Sequence, residues 1–487
     1  MFHAEQVSSA EILLMQRVSE LLPGVETFLR QVASINPGDR VIAAVSGGID
    51  SIALLDVLCE LRQGLGYDVV VAHLDHGLRP DSASDAEFVA AVARTLGLSF
   101  HTRTMDVGEH ANNAGLSVET AGRELRYQFL EEVRMATESR YIATGHHASD
   151  QAETVLMRML RGSGTRGLAA MEALRDGQIL RPLLSFSRKT IEEYVAEKEL
   201  DYREDLTNTD TRFLRNRIRH QLLPHLESDY NPQLTRTLGH TATVLRDDEA
   251  VLAAQAQTAL ETVVCAQTNG KVILAASPLL RYHIAIQRRI LRLLLSQMPS
   301  VEAAGGFDVV ERLVDLVGKS DKGIIRLCGD LWAQRTAQWL IIRDGTPNPF
   351  KMSMELPGIT RICARGVSLE ARFLPASLMN ELRPQLGTWR AALDADEIEY
   401  QTLTLRSIRK GDRLQPLGMT GSKKISDLLV DEKWPRLLRD EVILLTSGEQ
   451  IAWVAGLRVA QSFRVKPRSK QILYLHLVGQ YPLPEQA

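Results

Sequence analysis

Residues Ser46-Gly47-Gly48-Ile49-Asp50-Ser51 put two glycines, two hydroxyls and a carboxylate into one hexamer, the makings of a phosphate cradle. An apolar run, Val41 to Val45, precedes it and reads as a buried parallel strand. A helical apolar pattern, Ile52 to Leu58, follows. Between a strand end and a helix start, turn amides and the helix N-terminus converge on one spot and favour an anion there. Gly47 and Gly48 allow positive φ and let a phosphate come close to the backbone. The loop has no lysine and no G-x-x-x-x-G-K-[ST], which excludes the P-loop of kinases and GTPases. It also has no G-x-G-x-x-G, the dinucleotide fingerprint. A plain glycine turn with Asp50 or Ser51 as helix cap is the simpler alternative. The complete hexamer after an apolar strand favours phosphate binding.

Other residues could add to that chemistry. Asp150 and Glu153 are three apart in an expected first helical turn, so they share a face. They read either as a helix-capping pair, with Asp150 as N-cap, or as a site for Mg²⁺ or a substrate ammonium. His146 and His147 lie beside them. In His73-Leu74-Asp75-His76, strand alternation separates His73 and Asp75 from Leu74 and His76, which argues against one compact metal cluster. His76 and Arg79 then lie either over a bound nucleotide or in a solvated loop. Glu119, Arg123 and Arg126 form one helical stripe, for which the sequence favours a solvated face over phosphate contact. Arg161 to Leu168 is a glycine-rich basic loop, either a cover for a substrate or an ordinary connection. Arg212, Arg215, Arg217 and Arg219 follow with no acid between them, and read as phosphate readers or as snorkelling helix residues.

The elements that must position these groups alternate. Strands are expected at Asp68 to Leu74, Ser99 to Met105 and Arg140 to Thr144. Helices are expected at Ser84 to Leu96, Ser117 to Ala136 and Ala148 to Leu160, after one or two amphipathic helices in residues 1–35. That order means a doubly wound parallel sheet, with ligands beyond the carboxyl ends of its strands. Residues 209–260 and 277–318 read as mostly helical, and 322–343 as a hairpin. Short strand-like runs beyond the Asp344 to Pro349 linker suggest a small α+β module. The length of 487 residues fits about three domains, placed at 1–225, 226–345 and 346–487. A net charge of −3 confines nucleic-acid binding to local patches. Cys59, Cys265, Cys328 and Cys363 are scattered without a C-x-x-C pair, which argues against zinc, iron–sulfur and disulfide scaffolds and fits a reducing cytoplasm. No apolar run approaches a membrane span, and the first residues lack a signal-peptide pattern. Phe2 excludes a glutaminase that uses a cysteine exposed after the first methionine.

The hexamer resembles the Ser-Gly-Gly-x-Asp-Ser loop of the N-type ATP pyrophosphatases. Together with His73 to Arg79, Gly145 to Thr154, Leu160 to Gly164, Arg181 to Leu184, Asp205 to Asn208 and Arg215 to Arg219, it resembles the tRNA(Ile)-lysidine synthetase family. Arg409 to Met419, Lys423, Lys424 and Ile451 to Gly456 resemble the last domain of that family. Asp75 stands where Asn is common, and Thr207 where Ser is common. The resemblance implies an ATP pyrophosphatase domain, a mainly helical domain and a small α+β domain that grips tRNA with the helical one. It implies ligation of the lysine ε-amine to C2 of the wobble cytidine in a CAU anticodon, through an adenylated intermediate. ATP and Mg²⁺ are the implied cofactors. The expected partners are tRNA(Ile), free L-lysine and a second copy of the chain, with no membrane. The implied catalytic set is Asp50, with Mg²⁺ as its candidate metal, plus His146, Asp150 and Glu153. The implied ATP set is Ser46, Gly47, Gly48, Ile49, Asp50, Ser51 and His76. Arg123, Arg126, Arg215, Arg219, Arg409, Lys410, Arg413, Lys423 and Lys424 are the expected phosphate or tRNA contacts, with Arg406 beside them. Two other readings stay open. One is another pyrophosphatase chemistry such as tRNA thiolation, which the missing C-x-x-C and the C-terminal module oppose. The other is a non-catalytic RNA-binding protein, which the intact loop opposes.

Overall fold

The computed structural model describes residues 18–77, 82–203, 211, 213–268, 270–299, 306–319, 323–383 and 386–479. Arg79, Asp205 to Asn208, Arg212 and the expected helix before Val18 lie outside them. The chain forms two compact units, Met1–Ala250 and Val251–Ala487.

In the first unit, α1 (Val18–Gln31) leads into β1 (Arg40–Ala44), α2 (Ile49–Leu65), β2 (Asp68–Asp75), α3 (Ser82–Thr95) and β3 (Ser99–Thr104). Then come α4 (Val107–Ala114), α5 (Val118–Ala136), β4 (Tyr141–Thr144), α6 (Ala148–Leu160), α7 (Thr165–Leu168), β5 (Leu174–Arg175), β6 (Ile179–Leu180) and α8 (Arg188–Glu197). The strands form one sheet in the order β3-β2-β1-β4-β6-β5, parallel except for the β5 edge. Strand alternation splits its core in two. Val41 and Ala43 bury with residues of α1, α2 and α8 on one face, while Ile42, Val70 and Ile142 bury with Phe129, Leu130 and Val133 of α5 on the other. Strand order reverses between β1 and β4, and the crevice at such a switch point is where these sheets bind ligands. Beyond the sheet run α9 (Leu214–Arg217), a π-helical turn (Ile218–Leu222), α10 (Leu223–Asp229) and α11 (Leu234–Val263).

The second unit opens with β7 (Val264–Thr268) and β8 (Lys271–Ala275), followed by helices including Ile284–Leu295 and Phe307–Gly318. β9 (Gly323–Cys328), β10 (Leu331–Arg335) and β11 (Trp339–Asp344) complete an antiparallel sheet in the order β7-β8-β11-β10-β9. The expected hairpin at 322–343 is therefore three strands. The added turn closes where Thr336 Oγ1 accepts the Trp339 N–H at 2.9 Å. One face of this sheet buries Val272, Leu274 and Ile342 with the helices, and Ile273 and Ile341 on the other join the C-terminal core. That C-terminal part holds two antiparallel sheets of five and four strands, plus a two-stranded ribbon pairing Arg413 with Lys424.

Candidate active site

The glycine loop occupies the carboxyl end of β1. Gly47 has φ +93°, the left-handed region that favours glycine, whereas Gly48 is extended at φ −73°. Only the first glycine therefore uses the freedom expected of both. Ser51 ties the turn: its Oγ accepts the Ser46 N–H at 3.1 Å and donates to the Gly48 carbonyl at 2.8 Å. Gly48 is the N-cap of α2, and no side chain caps it. Neither Asp50 nor Ser51 acts as the cap. By contrast, Asp106, Ser117 and Ser187 cap α4, α5 and α8 with their own oxygens. The N-terminus of α2 keeps its positive end open to an anion.

β4 approaches this loop from the next strand. A Cβ on Gly145 would lie 2.9 Å from the Asp50 carbonyl oxygen, so only glycine permits the approach. His147 is the N-cap of α6; its Nδ1 accepts the Ser149 N–H at 3.2 Å, and Asp150 Oδ2 accepts the His147 N–H at 3.0 Å. Nδ1 is thus the unprotonated nitrogen, and the Nε2–H faces Asp150 Oδ2 at 3.5 Å and Asp50 Oδ1 at 3.8 Å. Asp150 sits at the third helical position rather than at the cap expected in the capping reading.

Asp150 and Glu153 do share a face, and the cations on it are arginines. Arg215 donates to Glu153 at 2.8 Å and to Asp150 at 2.9 Å, while Arg219 donates to Glu153 at 2.5 Å and to Asp150 at 2.8 Å. Glu153 is fully buried. The forks of Arg215 and Arg219, expected to face RNA phosphate, are turned onto these carboxylates. Sequence spacing could not show this pairing, because 62 residues separate Glu153 from Arg215. Asp50 is held by Arg188, whose Nη1 donates to Oδ2 at 2.8 Å. Its Oδ1 is buried with no hydrogen-bond partner.

Burial and neighbours drive these groups apart. Burial raises the Asp50 pKa above the ordinary carboxylate value, against the pull of His147 and Arg188. Burial also works upward on Asp150, but His147, Arg215, His146 and Arg219 outweigh it and hold Asp150 well below the usual range. Burial pushes His146 down to about 3; Asp150 opposes this, and Arg181, Arg215 and Arg126 add to it. His146 Nδ1 lies 2.9 Å from Thr144 Oγ1, whose proton goes to the Leu180 carbonyl at 3.4 Å. Nδ1 therefore carries the hydrogen, and Nε2 keeps a lone pair.

The PP-loop domain family model matches residues 22–226, and the TilS substrate C-terminal domain model matches residues 403–477. The tRNA(Ile)-lysidine synthase of Geobacter sulfurreducens is 36% identical over 95% of this chain and 98% of its own length. The chain belongs to the tRNA(Ile)-lysidine synthase family. The synthase of Solibacter usitatus is 38% identical over 90% of this chain and 98% of its own. Among solved structures, a U34-tRNA thiolase of Methanococcus maripaludis is similar at TM-score 0.39, with 16% identity over 47% of this chain and 80% of that one.

Within this lysidine synthase family member, the other expected residues fall into two groups. In the first unit, Arg123 and Arg126 keep accessible surface, although the packing around Arg126 lowers its pKa through burial. Arg126 Nη2 lies 3.3 Å from His76 Nε2, just past β2. Asp75 Oδ1 accepts the Gly77 N–H at 2.9 Å and shapes that loop. In the second unit, Arg409, Lys410, Arg413 and Lys424 are exposed, and Lys423 is ion-paired with Asp431. Arg413 folds back onto Ser422. Arg406 departs from expectation: it is 7% exposed and grips Asp412 at 2.7 and 2.8 Å, so it braces the core instead of meeting phosphate. The sequence places Gly145 and His147 within a motif but gives them no role, and it gives no sign of Arg188. Histidine is not among the residues that ordinarily cap a helix, so His147 gave no cap signal. Arg188 carried none, since it lies 138 residues from Asp50.

Proposed function

We propose that this chain makes lysidine: it joins the ε-amine of free lysine to C2 of the wobble cytidine in the CAU anticodon of tRNA(Ile), with ATP as the activating substrate. One observation carries the reading: 36% identity to a lysidine synthase across 95% of the chain, spanning the open phosphate cradle and the C-terminal module alike.

In the first step the cytidine C2 oxygen bonds to the α-phosphorus of ATP, the bridge to the β-phosphate breaks, and diphosphate leaves. The loop amides of Gly47 to Asp50 and the uncapped end of α2 hold the departing charge. Were Mg²⁺ bound here, Asp50 would hold it through Oδ1, which is buried without a hydrogen-bond partner among the described residues. Such an ion supplies neutralisation of the diphosphate. In the second step the lysine nitrogen bonds to C2, the C2–O bond breaks, AMP leaves, and the amine gives up a proton. Asp150, ionised far into acid, attracts the amine, while Glu153 fixes Arg215 and Arg219 around it. His146 Nε2 is free to take the proton.

The decisive assay is AMP release by the full chain with ATP, lysine and a tRNA(Ile) transcript bearing CAU, against elongator tRNA(Met) with the same anticodon. Lysine-dependent AMP release with the first and little with the second is expected. No nucleotide consumption with the first refutes the reading.

A further inference from the structure

Arg181 follows β6 at the same sheet end as His146, the Ala143–Leu180 pairing setting the two side by side. Its side chain turns inward and is 2% exposed. Nη1 donates to the Glu172 carbonyl, and the buried Nε has no hydrogen-bond partner. The groups that act most strongly on it are the phenol of Tyr127, through charge and a hydrogen bond, and the guanidiniums of Arg175 and Arg123.

Tyr127, on α5, is the hub. Arg175 lies 4.6 Å from its ring centroid and Arg123 5.0 Å. Its hydroxyl is buried, with Arg181 as its hydrogen-bonding neighbour. Burial raises that hydroxyl's pKa, yet Arg123, Arg181 and Arg175 outweigh it and leave it below the ordinary tyrosine value. Arg175 has one acidic neighbour, the exposed Asp176 at 3.1 Å.

A buried guanidinium costs the fold heavily unless a counter-charge completes it. Here the strongest neighbours are two more cations and a phenol, and Nε is left without a partner among the described residues, so the protein alone does not complete it. An oxyanion with several acceptors would, because a guanidinium fork and a hydroxyl match phosphate oxygens. We propose that Arg181, Arg175 and Tyr127, rimmed by Arg123, form a second phosphate pocket beside His146, distinct from the glycine loop. The pocket stands on its own geometry; naming the carrier of the phosphate rests on the lysidine reading. The carrier is either the RNA backbone next to the reacting nucleotide or a phosphate of ATP. Filling the pocket neutralises Arg181, one of the cations that act on His146, and so makes its imidazole a better proton acceptor.

The test is equilibrium binding of a tRNA(Ile) transcript, and separately of ATP, to the full chain and to Tyr127→Phe and Arg175→Gln. If the RNA backbone fills the pocket, Kd for the transcript rises about tenfold in Arg175→Gln, and the slope of log K against log salt shrinks by about one. If nucleotide fills it, Kd for ATP rises instead. Either result supports the pocket. Both constants within about twofold of wild type in both variants overturn it. Arg181→Met adds a readout that a packing role would not give: its urea midpoint without ligand stays level or rises, because an uncompensated charge is gone. A lowered midpoint with unchanged binding makes Arg181 structural and sinks the proposal. A wild-type chain that binds RNA but never forms AMP fails the lysidine reading and leaves the pocket comparison intact.

Discussion

Asp50 and Asp150 flank one imidazole, His147, and are driven in opposite directions, Asp50 upward by burial and Asp150 downward by its cationic neighbours. Two carboxylates of one chemistry are thus given different environments around a single imidazole. Asp50→Asn should cut kcat for AMP release by about 10²–10³-fold, with a urea midpoint near wild type; full activity would remove Asp50 from the mechanism. Glu153→Gln should behave differently. It leaves Arg215 and Arg219 with Asp150 as their shared carboxylate beside a fully buried position, and should lower unfolding free energy by about 1–3 kcal/mol. Urea titration beside the activity assay separates that loss from a chemical one. His146 gives a pH signature. Its folded pKa of about 3 lies below the free histidine value, so the unfolded chain takes up the proton first. Stability from this group is present above about pH 6.5 and drains away as pH falls towards 3. Between pH 7 and 5, wild type should lose about 2 kcal/mol more than His146→Asn. Equal losses in urea titrations at the two pH values would show that His146 is not held neutral.

Helix and strand ends, rather than their middles, make the site, and this explains what could be read in advance. β1, α2, β2 and α6 declare themselves by unbroken apolar runs and a glycine turn, and α6 begins and ends where its pattern does. α4 was missed because only Val107 and Ala111 of it are buried, too few to show a period. The β7–β8 hairpin was missed although Asn269-Gly270, a strong turn signal, lies between its strands. Residues that close the site from afar left no local trace: Arg188 reaches Asp50 from α8, and Arg215 and Arg219 reach α6 from the segment around α9. Gly145 is the element-scale hinge of the argument. Gly145→Ala forces β4 and the start of α2 apart and should cost about 1–3 kcal/mol. It should also weaken ATP binding more than it weakens RNA binding. A variant with wild-type ATP affinity would show that the close approach is incidental.

At the scale of the whole chain, the glycine loop and the carboxylate cluster lie in the first unit, and most of the expected cations of the second are exposed. The second unit was the harder to read because its sheets join distant segments; Val367 pairs with Gly479. Lys410→Ala with Lys424→Ala should weaken transcript binding and lower its salt slope by about two, leaving ATP affinity unchanged. An unaltered slope would release this surface from RNA contact. Within the first unit, α2 begins with no side chain over its amides, while α4, α5 and α8 each supply their own oxygen. An anion bound at that helix end would stabilise the folded chain as well as react. Saturation at a hundred times Kd would add about 2.7 kcal/mol to the folded state. In a starved cell the enzyme would lose its resistance to proteases together with its fuel, and deuterium uptake at Gly47 to Ser51 would report the fuel level directly.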